Sequence, residues 1–141
     1  MVWTPLLSIR PSALIAPLGV WLLLAVLAIG NGVFRETVLV PRMDEHRAHV
    51  LSTAILAGVI LLVSYGFFAW SNRSFTDAEL IGIGLVWTVL TVGFEFLVGY
   101  AEGTPVSVTI EQYDVTAGQV WIVVPITLLL APYLWGSVLR V

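Results

Sequence analysis

The chain contains no cysteine and no lysine. Without a thiol it has no disulfide, no thiolate nucleophile and no Cys-ligated metal. Without a lysine, Schiff-base chemistry and a P-loop lysine are excluded as well. Charge of either sign is scarce, at 11% of 141 residues, with six basic side chains, all arginine, against nine acidic ones. A net charge of -3 cannot supply the basic surface that nucleic acid demands, so no nucleic-acid partner is expected. What fills the chain instead is apolar: 59% hydrophobic residues and a mean hydropathy of +0.99, outside the range of soluble domains. The lipid bilayer is therefore the expected partner.

A bilayer core of about 30 Å takes roughly 20 apolar helical residues. Four stretches meet that length, at approximately 13–34, 49–70, 80–101 and 120–139, and they use most of the chain. The expected fold is all-α, a polytopic membrane protein forming one four-transmembrane-helix bundle, a single membrane domain over 1–141. Asp44 is placed to cap the second helix, Thr76-Asp77-Ala78-Glu79 reads as a capping box for the third, and Thr116-Ala117-Gly118-Gln119 repeats that pattern before the fourth. Residues 1–12, with two prolines and Arg10, read as an interfacial segment. The connection 102–118 favours a short surface helix after Thr104-Pro105 over a strand at 106–110. Pro125 and Pro132 fall inside the fourth span, where a proline frees a carbonyl. Trp70, Tyr133 and Trp135 at one interface and Tyr100 and Trp121 at the other read as aromatic belts. Arginine counting, with Arg35 discounted as part of a helix end, favours cytoplasmic termini.

One carboxyl stands out. Glu95 lies about two turns before the end of the third span, where a charged group is costly, and Gly84, Thr88, Thr91, Glu95 and Gly99 share one narrow helix face. Trp87, Leu90, Phe94 and Leu97 lie away from that face. The first span ends with Asn31 and Arg35 one turn apart, followed by Glu36, and the second begins with His46 and His49 and continues through Ser52 and Thr53. Antiparallel hairpins bring these ends, with Glu95 and Gln119, to one membrane face. A structural account makes Arg35 and Glu95 an ion pair, with Asn31 and the hydroxyl side chains bonding between helices. A functional account makes Glu95 a titrating or coordinating group, Arg35 its partner, and His49, Asn31 and Thr91 the supporting shell, while Glu36, Ser52, Thr53, Thr88 and Gln119 complete a structural polar network.

His46, His49, Glu36 and Glu95 offer metal-ligand types, without a fixed metal motif. Haem is set aside because both histidines lie on one helix, and no cofactor is expected. A Glu-His-Arg cluster suits acid-base chemistry, yet no hydrolase or metalloprotease motif accompanies it, so a non-enzymatic role is favoured.

The set Asn31-Gly32-x-x-Arg35-Glu36, His49-x-Leu51-Ser52 and Phe94-Glu95-x-x-x-Gly99 resembles a group of small uncharacterised prokaryotic membrane proteins with four helices. The resemblance runs from the first span to the last and implies a fold and a prokaryotic plasma-membrane location, with no activity attached. Fluoride channels and small multidrug transporters are similar in size, but their motifs are not found here; the latter carry their essential carboxylate in the first helix. The expected function is a small channel or transporter for an ion or small solute. Because a single four-helix bundle has little interior volume, a path between subunits of a homo-oligomer is expected. The alternative is a non-transporting accessory or assembly subunit that meets a membrane-protein partner through 102–118.

Overall fold

The structure is a computed structural model and describes residues 9–71, 74–111, 113–114 and 119–139. Its helices are α1 (Ile15–Phe34), α2 (Glu45–Trp70), α3 (Asp77–Ala101), the short α4 (Val106–Glu111) and α5 (Val123–Leu139). No strand occurs among the described residues, so the fold is all-helical. Three helical runs, Pro11–Arg42, Glu45–Trp70 and Asp77–Ala101, are long and apolar enough to cross a membrane.

Local chemistry explains most boundaries. The Asp44 carboxylate accepts from the Arg47 backbone N–H at 2.7 Å and starts α2. At the head of α3 the capping box is complete: Thr76 Oγ1 accepts from the Glu79 N–H at 3.1 Å, and Glu79 Oε1 accepts from the Thr76 N–H at 2.9 Å. Helix α3 ends in a Schellman turn. Gly103 adopts φ 77°, its N–H bonds to Tyr100 O, and the Thr104 N–H bonds to Gly99 O. Gly103→Ala should therefore cost about 1 kcal/mol, read as a lower unfolding temperature, because an alanine resists the left-handed region. The short helix expected after Thr104-Pro105 is α4.

Two boundaries differ from expectation. The first span does not end at Phe34, because a π-turn over Arg35–Leu39 and a 3-10 turn over Val40–Arg42 carry the helix onward. The Val40 N–H reaches back to Arg35 O, which widens the backbone by one residue without breaking it. The last helix is shorter than its expected span: α5 has 17 residues, and Trp121 and Ile122 form a turn ahead of it. Pro125 consequently sits in the first turn of α5, where its missing N–H removes no helical bond, and only Pro132 lies inside the helix. The capping pattern proposed for this helix begins at Thr116, and its positions 116–118 lie outside the described residues.

Helix α5 runs antiparallel along α3 and packs on α2 as well. Gly84 lies against the Leu129 carbonyl, Thr88 Oγ1 is 3.4 Å from Pro125 O, and Gly136 lies against Leu80. The face that carries Gly84, Thr88 and Glu95 is thus the seam on which α5 docks. Helix α1 packs mainly on α2 and meets α3 through its first half. There the two helices are parallel in a fixed register. Arg10 bonds Glu79, the Trp87 indole donates to Pro17 O at 2.9 Å, and the Trp21 indole donates to Thr91 Oγ1 at 2.9 Å, each pair 69 or 70 residues apart in sequence. Trp87, expected away from the polar face, is wholly buried between these helices.

The distribution of polarity is inverted relative to a water-soluble bundle. Ser52, Thr53, Ser64 and Glu79 are buried, whereas Leu22, Val26, Val33, Leu62, Leu85 and Val89 are exposed. Ser64 satisfies its own hydroxyl by donating to Ile60 O at 2.6 Å.

Candidate functional site

Between the second halves of α1 and α3 the helices are no longer stitched together, and a cavity of about 770 Å³ opens there. Its floor is apolar, formed by Trp21, Leu24, Leu56, Ile60 and Leu128. Beyond the floor, Ile83, Leu80, Trp87 and Phe68 are buried against one another and close the opposite end.

Most of the predicted residues border this one space. Asn31, Arg35, Glu36, His46, His49 and Thr91 line it, as do Glu95 and Gln119. Three others stand behind the wall. Ser52 donates to His49 O at 3.0 Å and its own carbonyl accepts from Asn31 Nδ2 at 3.0 Å, Thr53 is buried, and Thr88 donates to Gly84 O at 2.7 Å within the α3/α5 seam.

Arg35 and Glu95 line the same space but do not form an ion pair with each other. Arg35 instead forms its ion pair with the adjacent Glu36, at 3.4 Å. Glu95 takes its donors from elements that sequence reasoning did not connect with it. The Trp121 indole N–H approaches both carboxylate oxygens, at 2.7 and 2.8 Å, and the Tyr113 hydroxyl donates to Oε2. Both carboxylate oxygens of Glu95 are thus engaged by hydrogen-bonding groups. Trp121 also packs on the His49 ring, with centroids 5.8 Å apart. It is therefore part of the site, whereas Trp70 and Tyr100 are 81% and 83% exposed. The signal that was available is chemical: a buried indole N–H seeks an acceptor, and the α3/α5 register carries Trp121 to Glu95.

Two wall atoms have no hydrogen-bond partner among the described residues, Asn31 Oδ1 and His49 Nε2, and both are buried. Asn31 is only 9% exposed. The metal ligands considered from sequence do not converge, since no group of three His, Cys, Asp or Glu side chains among the described residues is arranged to hold an ion.

The closed end carries a second ionic contact that sequence reasoning missed. Arg10 Nε and Nη2 donate to Glu79 Oε2 and Oε1 at 2.8 and 2.7 Å, and the Arg10 backbone N–H adds a bond to Oε2 at 2.9 Å. The hydrogen bond to Glu79 raises the Arg10 guanidinium above its ordinary value, so it stays charged. This fork ties the residue before α1 to the first turn of α3.

No protein-family model, curated protein or solved structure matches the chain.

Proposed function

We propose that the chain is an integral membrane protein of four crossings that carries an ion or small solute through the cavity between α1 and α3. The observation that supports it most is the cavity itself. It is about 770 Å³, open beside Arg35, His46 and Glu102 and closed at the level of Trp21 and Thr91. A volume of that size holds a small organic solute. An apolar exterior around buried serine, threonine and carboxylate groups is the polarity that a bilayer requires. A space with one closed end suits a carrier that alternates between two openings better than a continuous pore. Glu95 is the coordinating group in this scheme, held by Trp121 and Tyr113, while Asn31 and His49 line the cavity beside it and Thr91 lies one turn deeper. Both termini on the cytoplasmic side and a homo-oligomeric assembly are consistent with the arginine pattern and the exposed apolar faces.

Flux into proteoliposomes tests this. Wild type should move at least one member of an ion and small-solute panel, and Glu95→Gln should slow that flux about tenfold or more while remaining monodisperse. If wild type moves none of them, carriage of those solutes is excluded. If Glu95→Gln alters only the recovery of a co-purifying membrane protein, an accessory role takes its place.

A further inference from the structure

We infer that the cavity selects an organic ammonium ion, a protonated amine on a compact apolar or aromatic body. The lining carries four carboxylates, Glu36, Glu45, Glu95 and Glu102, against a single arginine. Arg35 is engaged by Glu36. Glu45, Glu95 and Glu102 leave an acidic path from the mouth to mid-depth, which attracts cations and repels anions.

The remaining features decide between a bare metal ion and an organic cation. Among the described residues, no three ligand-type side chains converge as a metal ion would need. Aromatic rings line the same cavity instead. Trp21 and Phe94 stack edge to face with centroids 6.1 Å apart, and Trp121 bridges Glu95 and His49. Aromatic faces beside a carboxylate hold an ammonium group by cation–π attraction together with charge. The floor of Leu24, Leu56, Ile60 and Leu128 gives an apolar body somewhere dry to rest.

The site is the cavity proposed above for transport, so binding is measured without flux. Purified full-length protein in detergent is titrated calorimetrically with 2-phenylethylammonium, with neutral 2-phenylethanol and with anionic 3-phenylpropionate. The ammonium should bind at least tenfold tighter than either control. Glu95→Gln should lower its affinity about tenfold, leaving 2-phenylethanol nearly unaffected. Absent ammonium binding, equal binding of all three, or preference for the anion overturns the inference, and the three-probe comparison on wild type holds even if a variant fails to fold. Ammonium binding without flux removes transport and keeps the site; flux of another solute without ammonium binding does the reverse.

Discussion

Gly84→Ala should destabilise the protein by about 3 kcal/mol or more, and Gly84→Leu should abolish a monodisperse species. A Cβ on Gly84 would collide with the Leu129 carbonyl oxygen and lie 3.0 Å from its carbon. Both are backbone atoms of α5, so no rotamer change relieves the clash and the two helices must part. Because α3 and α5 form the most extensive helix pair, separating them loosens the seam along its whole length. Gly82 and Gly93 on the same helix provide the control, since a Cβ at either meets nothing within 4 Å. Alanine there should be neutral or stabilising by up to about 1 kcal/mol through helix propensity. Thermal unfolding followed by size-exclusion fluorescence separates the cases, and equal effects at Gly82 and Gly84 would contradict the close approach.

Removing Arg10 should harm the protein more than removing its partner. Glu79 is completely buried, whereas the Arg10 side chain is 47% exposed. In Arg10→Ala the carboxylate keeps only its bond from the Thr76 N–H and whatever the displaced backbone can still offer, and a buried charge stripped of its counterion is the costly case. In Glu79→Gln the guanidinium turns to water and the cap is retained in part. Arg10→Ala is therefore expected to lower the unfolding temperature by several degrees, clearly more than Glu79→Gln. Arg10→Lys should fail to restore it, because an ammonium cannot reproduce the forked contact to both oxygens. Restoration by lysine would mean that only net charge matters at this end.

These two sites mark where sequence reasoning reaches its limit. The Asp44 cap, the Thr76…Glu79 box and the short helix after Pro105 are written in neighbouring residues, and each is found where the local chemistry puts it. The inward face of Gly84, Thr88 and Glu95 follows from helical periodicity alone. Register between helices does not. Arg35 and Glu95 look like partners because topology brings their helix ends to one side, yet Arg35 pairs with Glu36 and Glu95 takes its bonds from Trp121 and Tyr113. The parallel register of α1 and α3 delivers Arg10 to Glu79 from a segment that reads as a surface tail. Trp121 has the composition of a belt residue, and only the antiparallel run of α5 along α3 reveals it as the donor to Glu95. The fourth crossing was read from hydropathy, which counts apolar residues and is blind to the turn at Trp121 and Ile122.

That turn leaves α5 with 17 residues, about 26 Å of helix, beside neighbours of 25 and 26 residues. On the proposed four-crossing arrangement, a bilayer with a hydrocarbon core of about 30 Å would have to meet that deficit, and the turn sets it at the end where Trp121 meets Glu95. Thinning the leaflet there would bring headgroups and water down to the carboxylate. Hydrophobic mismatch then becomes a setting on the site: thicker membranes should bury Glu95 more deeply, thinner ones should hydrate it, and acyl-chain length alone should shift how readily the cavity takes up a charged guest.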